Sequence, residues 1–301
     1  MRALFLVLSA LMVTMPAPSS EVGKSLRVIL IPADGGTEDG TKADYQPIFE
    51  AVSRMTGLSF SIRVGQSYAS VVEAMCAGGA DVAFVGPVTY IEALQRGCAE
   101  LLAVAVEKGQ SIYYAGLFTK ASSGIRQLTD LKGKRIAFGD VNSTSSFVFP
   151  MTMIMEAGLD PVRDLSEVRL TGSHANSLAA LIQNQVDAAA LSFDSFDKAL
   201  SQGAVDPATI RVVARSIPIP YPPLIVNAKL APKLKAELRD AFGRVDKAPG
   251  VTPDMIRGYG GGKVDRYDTQ FPAEKFNIAA VMMARLDDSL KAAILKKAGQ
   301  R

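Results

Sequence analysis

The chain has 301 residues, 48% of them apolar and 21% charged, with a formal net charge of only +3. That composition excludes a disordered or fibrous protein. Basic and acidic residues are interspersed, which gives no basis for nucleic acid or an anionic membrane as a partner, so any preference for anions must come from a local site.

Met1-Arg2 is followed by an apolar run over 3–15 and then by Ala17-Pro18-Ser19. This reads as a secretory signal, residues 1–19, cleaved near Ser19 and directing export to the periplasm. The alternative is a membrane anchor, but the run is shorter than the about 20 apolar residues a bilayer requires. No Cys sits at the cleavage point, which argues against a lipoprotein. Two cysteines in an oxidising compartment form one disulfide or none. A single His without a Cys/His cluster excludes most zinc sites, and no cofactor is expected.

Beyond the signal, strands and helices alternate. The continuous apolar run 26–31 reads as a buried strand ending at Pro32. Helical spacing covers 44–55 and stops at Gly57, and a strand follows over 58–64. A helix over 68–76 closes at Gly78-Gly79, then come a strand at 81–85, a helix at 87–94 and a strand at 101–106. Units of this kind imply a largely parallel sheet covered on both faces.

The pattern restarts with a strand at 113–118 and a polar stretch at 120–124. A strand at 135–138 leads to a helix at 145–157. Further strands are expected at 168–170, 186–191 and 210–214, with helices at 176–182 and 195–200. The Pro-rich segment 217–224 breaks the series, and helices are expected near 232–242, 273–286 and 289–297. The fold class is α/β, with two lobes, a sheet in each, and two extended crossings acting as a hinge. One lobe comprises 20–119 and 219–301, the other 120–218. Ligands in open α/β sheets bind at the carboxyl ends of strands, here the cleft between lobes.

The segment Asp140-Val141-Asn142-Ser143-Thr144-Ser145-Ser146 follows a strand and opens a helix. It offers hydroxyls and backbone N–H groups where the helix macrodipole favours an anion. A plainer role for Asn142 or Ser143 is to cap the helix.

Asn142-Ser143-Thr144-Ser145, Gly172-Ser173-His174 with Leu178, Gln185-Val186-Asp187-Ala188, and Phe84-Val85-Gly86-Pro87 with Tyr90 together resemble the phosphonate-binding proteins of ABC importers. The resemblance runs from about residue 26 to residue 230. It implies a type II periplasmic binding protein that holds phosphonates, phosphite, phosphate or related oxyanions between two lobes. A related branch senses arsenic oxyanions and signals to a membrane histidine kinase. The expected partner is therefore an ABC permease or, alternatively, such a sensor kinase.

By this resemblance Ser143, Thr144 and Ser145 hold the anion's oxygens and His174 contacts it. Tyr68 and Tyr90 border it, and Asp194 aligns with an acid that binds the amino tail of an aminophosphonate. A second such acid is absent, because Tyr221-Pro222-Pro223 stands in its stretch. That departure favours a smaller, tailless oxyanion. Each residue also has a plainer role. His174 can be a satisfied structural histidine, Asp194-Ser195 can cap a helix, and both tyrosines can be core. Cys76 and Cys98 fall at the ends of successive helices, away from the ligand face, which suits structural residues, paired or not. The sharper alternative makes one a thiolate ligand for trivalent arsenic.

An enzyme is the rival class. The chain has no Gly-x-Ser-x-Gly elbow and no Walker loop. Its single His has no nucleophile and orienting acid at motif spacing.

Overall fold

The computed structural model describes residues 25–33 and 38–299, so the segment read as an export signal lies outside the described residues. Among the described residues, no helix is long and apolar enough to cross a membrane.

The first series runs β1 (Leu26–Leu30), α1 (Glu38–Thr56), β2 (Phe60–Val64), α2 (Tyr68–Cys76), β3 (Val82–Phe84), α3 (Pro87–Gln95) and β4 (Ala99–Val106). Helix α1 begins six residues before the apolar periodicity does. Its first turn carries Glu38 and Asp39, suited to the positive helix end, and Glu38 pairs with Lys42 at 2.7 Å. That turn shows no apolar face, so periodicity alone misses it.

The single strand expected at 113–118 is instead two, β5 (Ile112–Tyr113) and β6 (Ala115–Lys120). The second series continues through β7 (Arg135–Phe138), α4 (Phe149–Glu156), β8 (Glu167–Leu170), α5 (His174–Ile182), β9 (Ala188–Ser192), α6 (Phe193–Ser201) and β10 (Ile210–Arg215). The chain returns through β11 (Ile219–Pro220) and β12 (Pro223–Asn227). It ends with α7 (Pro232–Arg244), β13 (Arg266–Asp268), α8 (Asn277–Ala284) and α9 (Asp288–Ala298).

Two mixed sheets result, ordered β13-β4-β12-β3-β1-β2 and β10-β6-β9-β7-β8. Their inner strands share one plan. β1 lies parallel between β2 and β3, and β7 lies parallel between β8 and β9. In each sheet an antiparallel strand follows, β12 beside β3 and β6 beside β9. Strand β6 lies wholly in the second sheet, a few residues ahead of the crossing expected near residue 119. The crossings pair with each other, Tyr113 opposite Ile219 and Ile112 opposite Pro220.

The same clasp opens both sheets. Arg27 forks Asp81, with Nε and Nη2 each donating at 2.8 Å. Arg135 forks Asp187 at 3.1 and 2.8 Å. In both cases the Arg backbone N–H donates to the same carboxylate, and the Asp N–H returns to the Arg carbonyl at 2.8 Å. A bidentate charge-assisted fork fixes register as well as adding energy. The correspondence is invisible as a sequence repeat because it resides in two residues separated by a whole βα unit.

Cys76 and Cys98 form a disulfide. It ties the end of α2 to the start of β4, one helix length from Tyr68 at the other end of α2. The C-terminal helices span both layers. Helix α8 lies against α3 and against the turn preceding α4, α9 lies against β8, and Arg285 pairs with Glu156.

Candidate functional site

Helices α2, α3, α4 and α5 all begin where strands of the two sheets end, so their N-termini converge. Strand β7 leaves the sheet at Phe138, and a wide turn over Thr144–Val148 precedes α4. Ser143 is its cap, accepting the Ser146 N–H at 3.2 Å. Gly139 lets the turn fold back, since a Cβ there would fall 2.2 Å from Ser146 Oγ. Ser143, Thr144, Ser145 and Ser146 are all buried.

The seam between the sheets is closed by hydrogen bonds around this turn. The Val88 N–H donates to Thr144 Oγ1 at 2.8 Å, and Thr89 Oγ1 donates to the Asn142 carbonyl at 3.2 Å. The Tyr68 N–H donates to Asp140 Oδ2 at 3.3 Å, and the His174 N–H to the Ala33 carbonyl at 3.0 Å. Burial raises the Asp140 pKa, and the N–H groups of Asn142 and Tyr68 partly offset this.

Aromatic groups cover the turn. The Tyr113 hydroxyl is drawn down in pKa by the Ser145 and Thr144 hydroxyls, but complete burial pushes it up and prevails. Even so, Ser145 Oγ and Ser146 Oγ complete no hydrogen bond among the described residues. Burying an unpaired hydroxyl is unfavourable. The Tyr113 ring packs on Tyr221 at 5.9 Å and on Tyr259 at 6.0 Å.

His174 opens α5 after the Ser173 cap and is wholly buried. Its Nδ1 accepts the Ser192 N–H at 2.9 Å, so the ring proton belongs on Nε2, because a proton on Nδ1 would set two donors face to face. Nε2 lies 3.1 Å from the Tyr259 hydroxyl, which lies 3.0 Å from the Tyr68 hydroxyl.

The residues expected from sequence are thus not all in one place. The turn 143–146, Tyr68 and His174 converge. Ser143 Oγ is engaged as a cap and Thr144 Oγ1 accepts from Val88. Tyr90 lies elsewhere. Its ring packs edge-on against Phe276 at 5.0 Å, on the side of α3 that meets α8, and burial and Glu100 raise its pKa. Tyr113 on the first crossing stands beside the turn instead. Asp194 does not cap α6, which Ser192 does by accepting the Ser195 N–H at 3.1 Å. Burial and then Glu107 push the Asp194 carboxyl up to about 7, against the pull of the Tyr221 hydroxyl. Both cysteines are in the disulfide, so the oxidised chain offers no thiolate to arsenic.

Sequence reasoning missed Tyr113, Tyr221 and Tyr259. Signals existed in hindsight. Tyr113 and Tyr221 lie on the crossings, which border any interlobe cleft, and Tyr259 is the aromatic in Gly258-Tyr259-Gly260-Gly261-Gly262. Outside the turn lies a cleft of about 580 Å³, lined by Ile31, Ala33, Leu178, Ile182 and the Tyr259 ring, with Lys198 at its side.

A family model described as "ABC transporter, phosphonate, periplasmic substrate-binding protein" matches residues 36–261. The phosphate-import protein PhnD of Mycolicibacterium smegmatis is 29% identical over 73% of this chain and 72% of its own length. The phosphonates-binding periplasmic protein of Escherichia coli is 26% identical over 78% of this chain and 70% of its own. Among solved structures, PhnD1 of Prochlorococcus marinus in complex with methylphosphonate superposes with a TM-score of 0.73. It is 15% identical and covers 87% of this chain and 98% of its own, a likeness of fold alone.

Proposed function

The chain belongs to the family of periplasmic substrate-binding proteins of phosphonate ABC transporters, and from that premise we propose that it captures a small, tailless oxyanion at Ser143–Ser146 and delivers it to an ABC permease. Phosphate, phosphite and methylphosphonate are the candidate ligands. In this reading residues 1–19 export the chain, and the two sheets are the cores of lobes that close over the anion.

One observation carries the reading. Ser145 Oγ is buried, unpaired among the described residues, and set in the first turn of a helix beside Tyr113. A hydroxyl so placed is compensated when it donates to an oxyanion. Neighbouring Tyr68 and Tyr113 supply further polar hydrogens, and His174 Nε2 stands behind the Tyr259 hydroxyl at 3.1 Å. The converging helix N-termini contribute positive potential without a cationic side chain.

The absence of a tail follows from two features. Pro222-Pro223 provides no acid after the second crossing. The Asp194 carboxyl faces Tyr221 and carries its proton up to about neutral pH, which makes it a poor anchor for an ammonium. An unpaired ammonium in a closed cleft is costly. Calorimetric titration of the mature protein with phosphate, phosphite, methylphosphonate and aminoethylphosphonate tests this. One of the first three should bind at least about tenfold more tightly than the aminophosphonate, a difference of about 1.4 kcal/mol. Tightest binding of the aminophosphonate would overturn the tailless assignment, and no binding of any would overturn the site.

A further inference from the structure

We propose that Tyr259 is a specificity-determining residue, a ring that partitions the oxyanion site from the outer cleft and a hydroxyl that joins the anion's hydrogen-bond set. The proposal rests on the reading that Ser143–Ser146 hold the anion. Tyr259 is far in sequence from every motif that points to this site, yet it meets three of the groups around it.

The loop that carries Tyr259 is built to hold the ring in place. Its base is the bridge between Arg257 and Lys263, and the Gly258 N–H donates to the Gly262 carbonyl at 2.6 Å. A Cβ at Gly258 would stand 2.7 Å from the Tyr221 hydroxyl. Gly261 has φ +75° and its Cβ would stand 2.2 Å from Asp44 Oδ2. A side chain at either place would have to displace these neighbours or the loop. Both layers grip it. Tyr45 of α1 donates to the Gly258 carbonyl at 2.6 Å. Lys198 of α6 donates to the Gly260 carbonyl at 2.5 Å. The Tyr221 hydroxyl accepts the Tyr259 N–H at 3.2 Å.

The ring itself is 3% exposed and packs with His174, Tyr113 and Phe84 at 5.8, 6.0 and 6.3 Å. Its other side forms part of the lining of the 580 Å³ cleft. It therefore stands between the buried hydroxyl cluster and a larger, mostly apolar cleft. Its hydroxyl is engaged as well. His174 Nε2 carries the ring proton and donates to the Tyr259 oxygen, and the Tyr259 and Tyr68 hydroxyls lie 3.0 Å apart, either able to supply the hydrogen between them. An anion that enters accepts that hydrogen, while the ring excludes a bulky substituent on phosphorus.

The test compares native protein, Tyr259→Phe and Tyr259→Ala by titration with methylphosphonate and phenylphosphonate, after melting curves establish that each is folded. Native protein should prefer methylphosphonate. Tyr259→Phe should lose about tenfold or more in methylphosphonate affinity, the loss of one hydrogen bond to a charged group, and keep its preference. Tyr259→Ala should shift the preference towards phenylphosphonate by about tenfold or more, as the wall opens onto the outer cleft. If Tyr259→Ala does not fold, Tyr259→Leu takes its place as the ring-removing variant, while Tyr259→Phe decides the role of the hydroxyl. Unchanged affinities in the folded variants would overturn the proposal, as would native protein binding both ligands equally. Native protein that binds methylphosphonate, phosphate and phosphite not at all would remove the site reading and this inference together, an outcome distinct because it is seen before any substitution.

Discussion

The Val88 backbone N–H and the Thr144 hydroxyl meet at 2.8 Å, one from the helix that follows β3 and the other from the turn that follows β7. The bond therefore joins the two sheets at the place where the candidate ligand site lies. Close by, a Cβ at Gly86 would come to 3.2 Å from the same hydroxyl, so a side chain at the start of α3 would press on it.

Thr144→Val keeps the shape of the side chain and removes the acceptor. The Val88 N–H is then buried without a partner, at a cost of about 1–3 kcal/mol in the closed form. The expected outcome is weaker oxyanion binding by calorimetry and a larger radius of gyration in ligand-saturated solution scattering. Native affinity in this variant would show that the bond contributes nothing to closure.

Ser145→Ala separates binding from stability. Ser145 Oγ has no partner among the described residues, so melting without ligand should be unchanged or slightly raised. Oxyanion affinity should fall about ten- to a hundredfold, equivalent to roughly 1.5–3 kcal/mol. Ser143→Ala should behave in the opposite sense, losing about 1 kcal/mol of stability with its cap. Equal effects of the two substitutions on both readouts would contradict these separate roles.

Asp194 sets a pH dependence. Its carboxyl is raised from an ordinary 3.8 to about 7 in the folded protein, so the folded state holds its proton longer than the unfolded chain. The contribution is fully present below about pH 4 and is lost as pH rises through about 7. Asp194→Asn should make the fall in ligand-free stability between pH 5 and 8 shallower by about 2 kcal/mol, after allowance for partial solvent screening. Unfolding titrations at the two pH values measure it, and parallel curves for native and variant protein would refute it.

The disulfide between Cys76 and Cys98 spans 22 residues. A loop of that length constrains the unfolded chain by about 3 kcal/mol. The double variant Cys76→Ser/Cys98→Ser should unfold at lower temperature and still bind the oxyanion, because Cys76 lies at the far end of α2 from Tyr68. Loss of binding in one folded single variant, with the other intact, would instead assign a thiol to the ligand.

The parts of the site visible in the sequence are the local ones. Ser143, Thr144 and Ser145 stand together because a strand-to-helix turn needs a cap and a short polar run, and His174 follows a Gly-Ser cap that marks a helix start. Asp187 was marked by its motif, although only the structure gives it Arg135 as a partner. The alternation of strand and helix likewise arises within a few residues, from side-chain period and turn chemistry.

What the tertiary structure decided is which distant residues share the cleft. Tyr90 sits on a motif, but the rotation of α3 turns its ring to Phe276. Tyr113 and Tyr221 gain their places only because the two crossings pair, and Tyr259 reaches Tyr68 across 191 residues. Sequence periodicity specifies which side of its own helix or strand a residue faces. Which other element that side meets depends on strand order and sheet packing, and these are set by the burial of the whole chain together.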